Sequence, residues 1–364
     1  MSLKQAILLL EDGTCIKGTA FGKVGEAYGE ICFTTGMTGY QEVFTDPSYS
    51  GQVLIMNNVH VGNYGVYSND VESNKIHVKA VIGRNLESFY SRVIAEESLE
   101  DYFIKENIVA INGVDTRALV EHVRKNGAMN CIVSSNNDNV DSLQKKLSVI
   151  PSMAGLELAS IVSTKESYEV GNQNSGLRIS ILDLGIKKEI INCLIERGVH
   201  AKVFNAKATF EELKAFNPNG YFISNGPGDP SSMDYAVNTI KSILIENKPL
   251  FGICLGHQLL AIANDISTFK MHHGHRGLNH PVKNLITGKC ELTTQNHGFG
   301  INPAMIDRNK NIEVTHVNLN DNSIEGIRMK NKKAFSVQYH PEATPGPHDS
   351  RYLFDDFIKM IKDN

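Results

Sequence analysis

The sequence predicts an α/β protein: a C-terminal doubly wound, mostly parallel sheet preceded by a mixed, β-rich N-terminal domain. Three observations carry this expectation. Apolar runs alternate with helix-spaced segments from residue 177 to residue 264. A polar stretch, "STKESYEVGNQNSG" at 163–176, separates the two halves. The first half holds short mixed segments broken by many glycines. Strands and helices that alternate with short links build parallel sheets covered on both faces.

Each element of the second half follows from local pattern. "LRISILD" (177–183) reads as a buried strand. "IKKEIINCLIER" (186–197) has helical spacing, with Ile186, Ile190, Cys193, Leu194 and Ile195 toward one side. "HAKVFNA" (200–206) is a second strand, and Thr209 with Glu212 forms a capping-box pattern before "LKAF". "GYFISN" (220–225) is a third strand, residues 233–246 a helix, "PLFGI" (249–253) a fourth strand and "GHQLLAIAN" a helix. After residue 288 short strands are expected, including "KAFSVQ" (333–338), then a helix with Leu353, Phe357 and Ile361 on one stripe. In the first half, "QVLIMNNV" (52–59) reads as a strand and "DTRALVEHVRKNG" (115–127) as a helix. The chain is therefore expected to divide into an N-terminal domain at 1–162, a linker at 163–176 and a C-terminal domain at 177–364.

Bulk properties narrow the class. At 364 residues the chain exceeds one ordinary domain, and 41% hydrophobic content is ample for packed cores. A net charge of −4 gives no reason to expect nucleic acid or an anionic membrane as partner. No apolar run approaches a membrane span, and the start, "MSLKQAILLLEDGT", lacks a signal-peptide cleavage pattern. Six scattered cysteines (15, 32, 131, 193, 254 and 290) form no disulfide framework and no C-x-x-C pair. These features predict a cytoplasmic protein with reduced thiols.

One of those thiols stands apart. "PLFGICLGHQ" (249–258) places Cys254 between Gly252 and Gly256, after a strand and before a helix, with the G-x-nucleophile-x-G spacing of a nucleophile elbow. The glycines allow a tight corner, and the helix start directs its positive end at the thiol. A cysteine needs a base, and thirteen histidines compete. "QYHPEA" (338–343) lies at the end of an expected strand. His340 and Glu342, one residue apart, point to the same side in extended backbone. Glu342 can orient His340 while His340 serves Cys254, the logic of a catalytic triad. "SNGPGDPS" (224–231) is a rigid loop that can offer backbone donors to an oxyanion, together with the N–H of Leu255.

G-I-C-L-G-H-Q, S-N-G-P-G-D-P and H-P-E-A, in this order, resemble the class I (triad) glutamine amidotransferases over about residues 177–364. "TTGMTGYQEVFTDPSYSGQ" (34–52), "VDTRALVEHVRKNGAMN" (114–130), "HGHRGLNHPVKN" (273–284) and "TQNHGFGI" (294–301) extend this. Over nearly the whole chain the sequence resembles the small, glutamine-hydrolysing subunits of carbamoyl-phosphate synthetase. The resemblance implies a catalytic triad of Cys254, His340 and Glu342. It implies glutamine contacts from Ser48, Gly226, Gly228, Leu255, Gln258, Asn296, Gly298 and Phe299. It further implies L-glutamine as substrate and a large synthetase subunit as partner. ATP and magnesium would act in that large subunit, with no cofactor in this chain. The product would feed arginine and pyrimidine synthesis.

Two features agree with this division of labour. No G-x-x-x-x-G-K-[ST] phosphate loop is present, and Thr287-Gly288-Lys289-Cys290 lacks the upstream glycine and the hydroxyl. His272, His273, His275 and His280 have no carboxylate or thiol beside them and read as a structural or interface loop, not a metal site. The alternatives are the glutaminase subunit of another amidotransferase, a cysteine peptidase with the same triad, and a non-catalytic glutamine-binding regulator. The N-terminal half argues against the first and the intact triad against the last. Glutamine hydrolysis without peptide cleavage separates the peptidase.

Overall fold

The structure, a computed structural model, describes residues 4–306 and 308–364. They form two compact units. The first takes the described residues up to 154 together with 272–276; the second takes 155–271 and the remainder from 277.

The first unit is a closed barrel of β1 (Gln5–Leu10), β2 (Cys15–Gly22), β3 (Glu26–Thr34), β4 (Gln52–Met56), β5 (Ala80–Ile82), β6 (Val109–Asn112) and β7 (Asn130–Ser134). Their spatial order is β1-β2-β6-β5-β4-β3-β7. Neighbours from β3 through β4 and β5 to β6 are parallel, and the other pairs are antiparallel. Closure leaves no unpaired edge. Strands β1, β4 and β5 are buried on both faces, while β2 is half-exposed. Cys32, Leu54, Met56 and Val81 pack with residues of α1 (Tyr40–Thr45) and α2 (Leu99–Lys105). The alternate positions, among them Leu8, Leu10, Ile31, Val53, Ile55 and Val133, join Leu119, Val120 and Val123 of α3 (Thr116–Asn126). Ile7, Leu9 and Ile132 meet Leu143 and Leu147 of α4 (Val140–Leu147). Burial on two faces explains why "QVLIM" reads as a continuous apolar run without alternation.

The second unit holds a ten-stranded sheet. Its strands are β8 (Tyr168–Gly171), β9 (Arg178–Leu182), β10 (His200–Phe204), β11 (Gly220–Ile223), β12 (Leu250–Ile253), β13 (Thr268–Asn284), β14 (Cys290–Ile301), β15 (Ile312–Asn318), β16 (Ile324–Met329) and β17 (Ala334–Val337). The order is β14-β13-β15-β16-β17-β12-β11-β9-β10-β8. The five strands from β17 to β10 are parallel, as the alternating pattern predicts. Helices α5 (Ala159–Val162), α6 (Lys188–Ile195), α7 (Phe210–Ala215), α8 (Asp234–Glu246), α9 (Leu255–Ala263), α10 (Pro303–Ile306) and α11 (Tyr352–Lys362) accompany it. Leu182, Tyr221, Ile223 and Leu250 pack with residues of α7, α8 and α9 on one face. Ile179, Ile181, Phe222, Phe251 and Ile253 pack with α6 and α11 on the other. The Thr209–Glu212 capping box opens α7.

Three features differ from the expectation. Residues 163–176, read as a linker, carry β8, which pairs antiparallel with β10, and α5 already contributes Ala159 to the second core. Only Tyr168 and Val170 are sizeable apolar groups there because β8 is an edge strand, half solvated. The division between units falls at 154/155 instead. After residue 288 the strands are not uniformly short: β14 has 12 residues, and β13 before it has 17. Glycine and proline inside β13 interrupt its alternation in the sequence. Among the described residues no helix is long and apolar enough to cross a membrane.

Candidate active site

Ligands of open parallel sheets bind beyond the carboxyl ends of the strands. Parallel β12 and β17 pair Ile253 with Val337, so the residues following each strand emerge side by side. Cys254 follows β12 directly and caps α9; its N–H donates to the Val337 carbonyl at 2.9 Å. His340 lies three residues beyond β17, and its N–H donates to the Thr294 carbonyl of β14 at 2.8 Å.

The corner at Cys254 is strained. Its φ is 53° and its ψ −100°, a region that side chains rarely adopt and that costs about 1–3 kcal/mol. The flanking glycines are sterically required. A Cβ on Gly256 would lie 2.4 Å from the Ile223 carbonyl oxygen, and one on Gly252 2.8 Å from that of Gly256. The turn thus presents a 2%-exposed thiol at the amino end of α9, with Sγ 3.6 Å from the Asn296 carbonyl oxygen.

His340 Nδ1 lies 2.7 Å from Glu342 Oε1, and both side chains are buried. Nε2 is buried without an aligned hydrogen bond. Burial alone would lower the proton affinity of this ring. The Glu342 charge and the interactions with Cys254 and Glu342 outweigh it, and the imidazole holds its proton well above the ordinary histidine range. Glu342 is the opposite case. Burial favours its neutral form, yet the Lys187 ammonium and the His340 ring keep it ionised well below the usual carboxylate range. His257, nearer to Cys254 in sequence, points elsewhere: its Nδ1 meets Ser336 Oγ at 2.9 Å, and burial drives its pKa down to about 3. Proximity in sequence therefore favours His257, but of the two it is His340 that has a carboxylate behind it.

This constellation can withdraw a proton from a thiol, hold it on a buried imidazole and return it to a leaving group. The reaction class follows from the family. A family model described as carbamoyl-phosphate synthase small chain, CPSase domain, matches residues 8–133, and one described as glutamine amidotransferase class-I matches 180–360. A carbamoyl phosphate synthase small chain of Chlorobaculum tepidum is 46% identical over 359 residues, covering 98% of this chain and 98% of that protein. The protein of that name from Thermotoga maritima is 43% identical, with 99% of each chain covered. The one from Clostridium perfringens is 44% identical, covering 98% of this chain and 99% of its own. The chain belongs to the carbamoyl phosphate synthase small-chain family.

Several positions expected from the small-chain resemblance meet in the second unit. Gln258 Nε2 donates to the Phe299 carbonyl at 2.8 Å and to Gln338 Oε1 at 3.0 Å, fixing α9 against β14 beside the Asn296 carbonyl. Gly298 lies between them on β14. Gly226 is pressed between the Leu184 carbonyl and the Leu255 side chain, where a Cβ would come within 2.0 and 2.9 Å of them. Gly228 has a φ of 97°. Ser48 belongs to the first unit, in the 3₁₀ turn Pro47–Tyr49, and its N–H donates to Asp46 at 2.9 Å. The histidine-rich stretch divides: His272, His273 and His275 fall in the first unit and His280 in the second. His273 packs against Phe33 at 5.9 Å between ring centroids.

The sequence reading of this small chain missed Lys187. Its Nζ donates to Glu342 Oε1 at 2.9 Å and to the Thr344 carbonyl at 2.9 Å, and the side chain is 3% exposed. Asp183, at the end of β9, shapes the turn that delivers it by accepting from the N–H groups of Gly185 and Ile186, both at 2.8 Å. Arg351 at the start of α11 holds the Glu342 carbonyl at 3.0 Å.

Proposed function

We propose that this chain is the glutamine-hydrolysing subunit of a carbamoyl phosphate synthase and delivers ammonia to a large synthetase subunit. The observation that carries the reading is the strained Cys254 elbow beside a His340 whose other ring nitrogen is held by Glu342. In this reading Cys254 Sγ attacks the side-chain amide carbon of L-glutamine, and His340 takes the thiol proton. The developing oxyanion is stabilised by backbone N–H groups at Leu255 and the 226–228 loop; one such donor contributes about 10²–10³ in rate. His340 then protonates the departing nitrogen, releasing ammonia and leaving a γ-glutamyl thioester. Water, deprotonated by His340, attacks the thioester carbonyl, and glutamate leaves as the thiol is restored.

Glutamine is held by Gly226, Gly228, Leu255, Gln258, Asn296, Gly298 and Phe299, with Ser48 as a further contact. The large subunit uses ATP, magnesium and bicarbonate to convert the ammonia to carbamoyl phosphate, and the pair works in the cytoplasm. The test is ammonia release from L-glutamine by the purified chain, then carbamoyl phosphate formation after a large subunit, ATP and bicarbonate are added. Glutamine-dependent product in the second assay is expected. Glutaminase activity with no gain of carbamoyl phosphate from any such partner would contradict the assignment.

A further inference from the structure

The loop "NGPGDP" that carries Gly226 and Gly228 is not held only by its own strand. Its outer side is paired with the four residues by which the chain leaves the first unit. Glu157 and Gly228 form an antiparallel bridge, carried by the Asp229 N–H donating to the Leu156 carbonyl at 2.8 Å. In that pattern the two bridged residues turn their own N–H and C=O groups away from each other. The N–H of Gly228 therefore faces away from the 155–158 segment. The approach is close: a Cβ on Gly228 would lie 2.7 Å from the Leu156 carbonyl oxygen and 2.9 Å from the Leu158 nitrogen.

Two buried or half-buried carboxylates hold this segment, Asp229 to the loop itself and Glu157 to the neighbouring α5 and α8. Asp229 is 7% exposed and uses both oxygens. Oδ2 accepts from the Gly155 N–H at 2.8 Å, while Oδ1 accepts from the Ser231 N–H at 2.8 Å and the Ser231 hydroxyl at 2.7 Å. Glu157 accepts from the Ser160 N–H at 2.8 Å and from the Tyr235 hydroxyl at 2.9 Å, tying the segment to α5 and α8. On its inner side the loop rests against Leu184 and Leu255 at Gly226. Clamped on both sides and carrying two glycines, the loop takes its position from what it touches.

We propose that Asp229 and Glu157 are positioning residues for glutamine hydrolysis. They hold residues 155–158 against the 226–228 loop, so that this segment sets where the loop's backbone donors stand beside Leu255. This rests on the glutaminase reading above. A misplacement of about 1 Å in such donors costs on the order of 10²-fold in rate.

The experiment uses the reconstituted complex with its large subunit. Asp229→Asn keeps size, but its amide can accept at only one atom and must lose either Gly155 or Ser231. It should lower kcat for glutamine-dependent synthesis about tenfold or more, with KM changed much less. Tyr235→Phe, which removes one hydroxyl from Glu157 without altering the loop, should give a smaller loss in the same direction. Synthesis from added ammonium and the melting temperature serve as folding controls and should stay near wild type. Wild-type kcat in both variants would overturn the proposal. Loss of ammonium-dependent synthesis in parallel with the glutamine reaction would do so too, by showing a structural role only. Cys254→Ser in the same assay keeps the two ideas apart. If it retains glutaminase activity the active-site reading fails, whereas an inactive Cys254→Ser beside unaffected Asp229→Asn sinks the positioning role alone.

Discussion

Lys187 donates to the same oxygen of Glu342 that holds the His340 ring, at 2.9 Å, with both side chains almost fully buried. The carboxylate thus serves two cations at one atom. Removing a partner from a buried pair leaves an uncompensated charge, typically at a cost of about 3–5 kcal/mol. Lys187→Met should therefore destabilise the protein by roughly that amount at neutral pH. The carboxylate that Lys187 keeps ionised has a lowered folded pKa, so its stabilising share is present above the unfolded value and lost as pH falls through the folded one. The wild-type advantage over Lys187→Met should accordingly shrink toward acid. Denaturant melts of the two proteins at neutral and acid pH measure this, and a difference independent of pH would contradict it.

Glu342→Gln and His340→Asn should separate orienting a base from being one. A general base contributes about 10²–10⁴ in rate, so His340→Asn should lower kcat for glutamine hydrolysis by a factor in that range. Glu342→Gln should cost less. Equal activity of Glu342→Gln and wild type would remove Glu342 from the triad.

The same substitution has a pH signature. The Glu342 charge raises the proton affinity of His340 against the effect of burial. Without that charge the imidazole loses its proton at lower pH. The alkaline limb of the glutaminase profile should therefore move to lower pH in Glu342→Gln. An unmoved or upward-shifted limb would show that another group governs it.

The elbow predicts a steric effect. Gly256→Ala puts a methyl group 2.4 Å from the Ile223 carbonyl oxygen, which belongs to the packed end of β11. Backbone must move, and Cys254 with it. Glutaminase activity should fall by about 10²-fold or more, the scale for a misplacement near 1 Å, even where the variant folds. A folded Gly256→Ala with wild-type kcat would mean the corner does not set the position of the thiol.

How much of this was legible in the sequence depends on where each residue's partner lies. The parallel strands read clearly because β9, β11 and β12 are buried on both faces and bounded by turn residues. Cys254 read clearly because a glycine-flanked corner constrains the local backbone; His340 and Glu342 were picked out as an extended pair, but they meet across a turn at 340–343, where the Ala343 N–H donates to the His340 carbonyl at 3.2 Å. Lys187 was invisible. It stands beside Lys188, which is exposed, and its partner Glu342 comes 155 residues later, so only the fold decides which lysine is buried. The strand β8 was hidden by its polar composition, since an edge strand needs few apolar residues. The bridge from Glu157 to Gly228 was hidden for a third reason: it is made by backbone atoms, which no side-chain pattern reports.

In this reading Cys254 makes ammonia for another chain to use. Its most direct test is Cys254→Ser in the complex with the large subunit, assayed for carbamoyl phosphate from glutamine and, separately, from added ammonium. Glutamine-dependent synthesis should be abolished while ammonium-dependent synthesis persists. A variant that still draws nitrogen from glutamine, or that loses both activities while remaining folded and assembled, would contradict it.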